Sequence, residues 1–447
     1  MGLLFKRVRA GTDAVGAWVA ARSSRQVFAF GFLVFVLYGF PGYMSTDSYN
    51  QLLEARALSF SDGHPPFMAA EWSLLDRIIR GPLLMLLAQG VLFLYGARLI
   101  FARVFGAKGS AWASIVLLLY PPVLTCMAVI WKDSQMAAFL LAGTGLILQP
   151  RLRTRLFGVG LLVVASLLRH NGMAAVLPIV VLVFEWRSGL RLARRIAFVG
   201  GAAIVVIALT LGVSRLLTSS HVRLTPAFSD IVGVIAYTEP RTDEDLRHLL
   251  RGTPLVMDDG IQAGAEILCI LRGANRITQG DERLFSYPRT DEEWNALNRS
   301  WKELVLGDPL AYLAFHWELF ARMIGTSEMP RASAWEGFLE APEQGIPIEH
   351  DASPSHFQGW MWWLCAWISD NTPLFVPCVY LFAALLLMLL VSRDRLTFAL
   401  LSSGVLYTLS FFPAAAEPDY RYSHWAILSI SVAIVLLFVE RYRRRRS

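Results

Sequence analysis

Five short polar segments interrupt the apolar stretches of this 447-residue chain, and their residue types suit chemistry on a charged group. In chain order they are "DSYN" at 47–50, "GHPP" at 63–66, "IWKDSQ" at 130–135, "LLRHNG" at 167–172 and "EPDYRYSHW" at 417–425. The candidate site residues that they supply are Asp47, His64, Lys132, Asp133, Arg169, His170, Asn171, Tyr420 and Arg421.

Three of these residues, Lys132, Arg169 and Arg421, are cations that together suit a phosphate or diphosphate. A guanidinium group binds phosphate through two parallel hydrogen bonds, whereas the Lys ammonium acts as a compact charge. The carboxylate of Asp47 suits a general base that takes a proton from an incoming hydroxyl or amine. This combination favours transfer of a group from a lipid phosphate to an acceptor.

Each segment also has a purely structural interpretation, because a short loop between membrane spans must be polar somewhere. Lys132 and Asp133 could neutralise each other, Asp419 could pair with Arg421, and His64 could cap a turn before the two prolines. Ionisable groups at membrane depth are costly, however, so they tend to pair, face a cavity and serve a function. Five such segments on one side of a membrane favour a shared site.

The elements that position these segments are predicted to be membrane helices. Hydrophobic residues make up 55% of the chain and charged residues 17%, which is not typical of a soluble protein. Apolar runs long enough to cross a bilayer recur along it. They predict an all-α polytopic membrane protein of about ten transmembrane helices, at 26–43, 82–103, 110–129, 132–148, 155–168, 171–186, 196–216, 373–392, 396–413 and 423–440.

Charge asymmetry predicts the orientation. With both termini in the cytoplasm, cytoplasmic segments hold more than half of the 41 basic residues, as the positive-inside rule requires. All eight histidines and all five polar segments then lie outside or at the outer membrane edge. This placement, rather than nucleic-acid binding, accounts for the net charge of +6.

The predicted organisation has five parts. They are a cytoplasmic tail (1–25), an N-terminal transmembrane core (26–216) with a first outer loop (44–81), an extracytoplasmic region with interfacial helices (217–372), C-terminal transmembrane helices (373–440) and a basic cytoplasmic tail (441–447). In the first outer loop, apolar spacing predicts an amphipathic helix over 67–79. In the larger region, Thr242 is a predicted helix cap, and a strongly apolar helix follows at 308–325.

The chain has four cysteines, without CxxC or metal-ligand spacing, so no disulfide framework is predicted. Two other classes of function remain open. A transporter or flippase would place polar residues at mid-membrane in two related halves, whereas here they lie on one face without a visible repeat. A lipid-linked polymerase or ligase with a diphosphate donor would use the same cations.

Several of these motifs resemble a known superfamily. An apolar first span, an acid a few residues beyond it, "HPPF" at 64–67 and an amphipathic helix before the second span resemble the GT-C glycosyltransferases. Within that superfamily the pattern resembles notably the protein O-mannosyltransferases and the lipid A aminoarabinose transferases. The resemblance is strongest over the N-terminal 190 residues.

The resemblance implies a glycosyltransferase with a polyprenyl-phosphate-linked sugar donor and a cell-envelope glycan, lipid or protein as acceptor. It implies the outer face of a bacterial cytoplasmic membrane, with Asp47 as the catalytic acid and His64 near the donor. Those transferases usually carry Asp-Glu, whereas Ser48 follows Asp47 here. A direct base role for Asp47 is therefore simpler than a divalent metal site, which the resemblance leaves open.

Overall fold

The structure, a computed structural model, describes residues 21–61, 65–184, 191–219, 226–257, 259–271, 277–278, 283–325, 354–391, 394–413, 415 and 417–446. Within these ranges all regular secondary structure is helical, and two isolated β-bridges join described residues, Tyr43–Val129 and Leu255–Phe285. The all-α prediction is therefore confirmed.

The described part of the N-terminal half contains ten α-helices: α1 (Ser24–Gly39), α2 (Thr46–Ala57), α3 (Phe67–Leu75), α4 (Leu83–Phe101), α5 (Ala107–Leu118), α6 (Pro121–Met127), α7 (Lys132–Ile147), α8 (Leu152–Leu167), α9 (Gly172–Val183) and α10 (Leu192–Leu217). Nine more follow: α11 (Pro226–Tyr237), α12 (Asp243–Leu249), α13 (Ile261–Leu271), α14 (Asp291–Gly307), α15 (Pro309–Met323), α16 (His356–Asn371), α17 (Pro377–Leu390), α18 (Arg395–Leu409) and α19 (His424–Arg444). Short 3₁₀ turns lie at Pro373–Phe375 and Tyr420–Ser423.

Among the described residues, three helical segments are long and apolar enough to cross a membrane: Leu83–Phe101, Leu192–Leu217 and Tyr420–Arg444. The pair α5 and α6 adds a fourth if it is one span, bent by 72°. Its bend follows from the prolines at the start of α6, because proline removes a helical hydrogen bond and keeps the preceding residue extended. A shorter helix overlaps each of the other predicted spans, and the number ten stays a prediction.

Small residues let α7 pack closely between α4 and α8. A methyl group added to Gly96 would lie 2.3 Å from the backbone nitrogen of Ala142, and one added to Gly158 would lie 2.8 Å from the carbonyl oxygen of Gly143. Such close backbone approach is typical of helix packing in membranes. It fixes the position of α7, whose first turn carries Lys132 and Asp133.

The connector between α1 and α2 is joined to the connector between α6 and α7. Tyr43 donates its N–H to Ala128 and accepts from the N–H of Ile130, at 3.1 and 2.9 Å. The amide of Gln89 on α4 donates to the carbonyls of Met127 and Val129. These bonds bring the start of α2 beside the start of α7.

The segment after α2 differs from its predicted form. The helix predicted over 67–79 ends at Leu75, because Asp76 binds the Arg56 guanidinium at 2.9 Å and accepts the N–H of Gly81 at 2.7 Å. The pair turns the chain and holds the end of α3 to α2. This double attachment fixes the loop that leads into α4.

A second hydrophobic core lies within residues 228–311 and involves helices α11 to α15. The Thr242 cap predicted from the sequence is confirmed, since its side chain accepts the N–H of Asp245. Inside this region Asp230 accepts the indole N–H of Trp301 at 2.8 Å and contacts His316 Nε2 at 3.2 Å. The predicted helix at 308–325 forms α15, with Asp308 as its cap.

Candidate functional site

The N-terminus of α2 presents Asp47. Ser45 caps this helix, and its hydroxyl also accepts the indole N–H of Trp131 at 2.8 Å. The hydroxyl of Ser48 donates to the carbonyl of Ile130 at 2.7 Å. The segment that precedes α7 thereby holds the first turn of α2, where a carboxylate is favoured by the helix dipole.

Asp47 contacts a buried arginine from the other end of the chain. Its Oδ2 lies 2.8 Å from a terminal guanidinium nitrogen of Arg421, and Arg421 Nε lies 2.7 Å from Oδ2 of Asp419. The Arg421 side chain is 8% exposed, Asp47 26% and Asp419 31%. The cluster is therefore most open at its two acids. The pairing of Asp419 with Arg421 that the sequence allowed is confirmed.

A second buried ion pair lies at the start of α7. The Arg169 guanidinium donates to Asp133 Oδ2 at 2.8 Å, and the Tyr407 hydroxyl donates to Asp133 Oδ1 at 3.1 Å. Only 2% of the Asp133 side chain is exposed, against 12% of Arg169. Asp133 thus holds Arg169 in place, and its predicted part in binding the substrate or lipid phosphate stays a prediction.

The ring of Tyr422 connects the two arginines. The guanidinium carbon of Arg169 lies 4.7 Å from the centre of this ring, and that of Arg421 lies 5.5 Å from it. Phe411 stacks on the ring at 4.5 Å, and Arg421 also lies 5.2 Å from the ring of Trp131. Contacts between arginine and aromatic faces stabilise both cations where water is scarce.

Lys132 completes the cluster. Its side chain is 6% exposed, and it interacts electrostatically with Asp47, Asp133, Arg169 and Arg421. It also interacts with Glu54, two turns along α2 from Asp47. Burial raises the pKa of Glu54, while the Ser61 hydroxyl and the charge of Lys132 oppose that rise.

The charges of this cluster balance. Its cations are Lys132, Arg169 and Arg421, and its acids are Asp47, Asp133 and Asp419. Two cations near Asp47 do not suit a divalent metal, and the Ser48 hydroxyl is engaged with a backbone carbonyl. Across the ranges that the structure describes, no group of three or more His, Cys, Asp and Glu side chains could hold a metal ion.

Three of the predicted site residues that the structure describes, His170, Asn171 and Tyr420, fall outside this cluster. His170 is exposed, and Asn171 donates its amide to Ser410, which joins the start of α9 to the end of α18. Tyr420 packs its ring on Phe375 and interacts with Tyr120 and Tyr380 instead. His64 lies outside the described residues.

Sequence reasoning missed the aromatic and hydroxyl groups that organise the cluster. Tyr422 lies in the segment 417–425, directly after Arg421, and Tyr420 lies directly before it. The sequence alone does not indicate which of the two tyrosine rings contacts the arginines. Tyr407 and Phe411 lie in the predicted apolar span 396–413. A tyrosine in such a span is a usable signal, because its hydroxyl needs a partner there.

Comparison with protein-family models, with curated proteins and with solved structures finds no match to this chain.

Proposed function

We propose that this protein is a membrane glycosyltransferase that moves a sugar from a polyprenyl-phosphate donor to a hydroxyl or amine of a cell-envelope glycan, lipid or protein. The observation that supports the proposal is the contact between Asp47 and Arg421, with Lys132 and the Arg169–Asp133 pair beside it. A carboxylate and three cations from distant parts of the chain thus meet in one buried cluster. Two of its acids, Asp47 and Asp419, are its most exposed side chains.

The donor phosphate would replace Asp47 as a partner of Arg421. An arginine binds phosphate oxygens in a forked geometry, and Lys132 adds a positive charge close by. Once released, Asp47 takes the proton of the acceptor hydroxyl. The acceptor oxygen bonds to the anomeric carbon, the bond from that carbon to the phosphate oxygen breaks, and the electron pair leaves on the phosphate.

The second ion pair has a supporting role in this scheme. Asp133 and Tyr407 hold Arg169, and the Tyr422 ring lies between Arg169 and Arg421. A fixed guanidinium stabilises charge that develops on the leaving phosphate without rearrangement during the reaction. Arg169 therefore acts on the phosphate, and Asp133 acts as a positioning residue.

The proposal also includes the membrane face on which the cluster acts. The proposed location is the outer face of a bacterial cytoplasmic membrane, and the ten predicted spans and the excess of basic residues in the predicted cytoplasmic segments support it. There the lipid tail of the donor remains in the bilayer while its phosphate reaches the cluster. The donor is already activated, so no nucleotide-binding loop is needed.

Turnover of defined donors tests the proposal. The full chain in detergent or nanodiscs is given polyprenyl-phosphate-linked sugars, with and without cell-envelope acceptors, and free polyprenyl phosphate is measured. Wild-type protein should release the lipid phosphate in an acceptor-dependent way, and Asp47→Asn should not. Asp259→Asn is the matched control, since this acid is 88% exposed and pairs with Arg247 within the 217–372 region.

Other results would point elsewhere. Movement of intact donor across a proteoliposome membrane without cleavage would favour a flippase. Cleavage of diphosphate-linked donors alone would favour a polymerase or ligase. Equal turnover by wild-type and Asp47→Asn proteins would refute the role of Asp47 as the base.

A further inference from the structure

One buried glutamine near the cluster lacks hydrogen-bond partners. Gln51 on α2 is fully buried, yet neither its Nε2 nor its Oε1 meets a donor or acceptor. Glu54, one turn further, has a buried Oε2 that is likewise unpaired, although its Oε1 accepts from Ser61. Buried polar atoms are almost always paired, so each unpaired atom needs an explanation.

The other buried glutamines in the described part of the chain are all satisfied. Gln89 donates to two backbone carbonyls, Gln135 donates to Gln89, and Gln358 donates to the carbonyls of Tyr38 and Phe40. Among the described glutamines, the half-buried Gln262 has one unpaired buried atom, Oε1, whereas its Nε2 donates to the carbonyl of Ile235. Gln51 differs in that both of its amide atoms are buried and unpaired, and it lies one turn of helix from Asp47.

Helix geometry aligns these groups with the cluster. Asp47, Gln51 and Glu54 are spaced by four and three residues, so they lie on one face of α2. Asp47 and Gln51 are separated by about 6 Å along the axis, a distance comparable to the width of one pyranose ring. Lys132 interacts with both Asp47 and Glu54, so this face of α2 borders the cation cluster.

The chemistry of the unpaired atoms indicates the ligand. A glutamine amide both donates and accepts hydrogen bonds, and a carboxylate accepts them. Sugar hydroxyls offer donors and acceptors on the same atom, so one ring can satisfy both side chains. A second negative charge beside Glu54 would be repelled, which disfavours acidic sugars.

We propose that Gln51 and Glu54 form the subsite that binds the sugar ring of the donor, and that this ring is neutral or carries an amine. The proposal rests on the function proposed above. It adds which part of the chain binds the ring and which class of ring fits. Gln51 binds two ring hydroxyls, and Glu54 accepts from a third hydroxyl or from an amine.

Binding measurements separate the sugar from the phosphate. The probes are polyprenyl phosphate without sugar, the same lipid with a neutral hexose, and the same lipid with a uronic acid. Binding to the full chain is followed by quenching of tryptophan fluorescence, for which Trp131 beside Arg421 is well placed. The hexose should tighten binding relative to the bare lipid phosphate, and the uronic acid should not.

In Gln51→Leu, binding of the hexose lipid should weaken by about three- to tenfold, the effect of one lost neutral hydrogen bond. Binding of the bare lipid phosphate should be unchanged, which also shows that the variant is folded. Glu54→Gln should bind the uronic acid lipid more tightly than the wild type does. Gln149→Leu, which changes a partly buried glutamine just beyond the opposite end of α7, should behave like the wild type.

The outcomes distinguish the two proposals. If the bare lipid phosphate binds but the hexose adds nothing, or Gln51→Leu keeps the full increment, the subsite holds only water and this inference is wrong. In that case the proposed transfer reaction still stands. If no polyprenyl phosphate binds to the wild type, the proposed function fails and the subsite fails with it.

Discussion

The burial of Glu71 on α3 should make the stability of the protein depend on pH in an unusual way. One of its oxygens is buried without a hydrogen-bond partner, and burial raises the pKa of the carboxyl from 4.5 to about 7. Between these two values the folded protein retains a proton that the unfolded chain has released. Ionisation of the buried carboxyl therefore lowers the free energy of unfolding. This loss is absent below pH 4.5, grows as the pH rises, and is complete above pH 7, where it reaches about 3 kcal/mol.

Glu71→Gln replaces the carboxyl with a neutral group of the same shape. The variant should match the wild type at pH 4.5 and exceed it by up to about 3 kcal/mol at pH 8. The free energy of unfolding of both proteins is measured between pH 4.5 and pH 8 by SDS titration in mixed micelles, followed by tryptophan fluorescence. Glu303→Gln, on an exposed face of α14, is the control and should leave the pH profile unchanged. Parallel profiles for Glu71→Gln and the wild type would refute the reasoning.

Two further predictions concern the buried pair of Asp133 and Arg169 and the packing of α4 against α7. Asp133→Asn or Arg169→Met alone should destabilise the protein by about 3–5 kcal/mol, because each leaves a buried charge without its partner. Removing both charges together should cost less than the two single changes added, as a double-mutant cycle in the same assay would show; additive effects would contradict the pairing. Gly96→Val should separate α4 from α7 and lower the unfolding temperature, whereas Gly160→Val, which has open space around it, should have little effect. Equal effects of the two glycine changes would contradict the close approach.

Residue type and charge placement predicted the helices and the meeting of Asp47 with Lys132, Arg169 and Arg421. Apolar runs locate helices, because a run of such length must be helical in a bilayer. Charges that must all avoid the bilayer interior converge on the few polar sites available to them. Both constraints depend on the order of residue types along the chain, so the sequence alone is enough to apply them.

Apart from the pair of Asp419 and Arg421, the partners within the cluster could not be predicted. The Asp133 carboxylate accepts a hydrogen bond from Arg169, 36 residues further along the chain, and no spacing in the sequence indicates this partner. Tyr422, and not Tyr420, contacts both arginines, because the 3₁₀ turn that contains the two tyrosines directs their rings to different neighbours. The unpaired amide of Gln51 becomes visible only when every neighbour is placed.

The division of roles within the cluster is tested most directly by donor-concentration curves for the wild type, Asp47→Asn and Arg421→Lys. If Asp47 is the base, Asp47→Asn should lower kcat by about 10²- to 10⁴-fold with little change in the KM for the lipid donor. If Arg421 binds the donor phosphate, Arg421→Lys should raise that KM, because lysine lacks the forked geometry. A normal kcat for Asp47→Asn, or a normal donor KM for Arg421→Lys, would contradict the account.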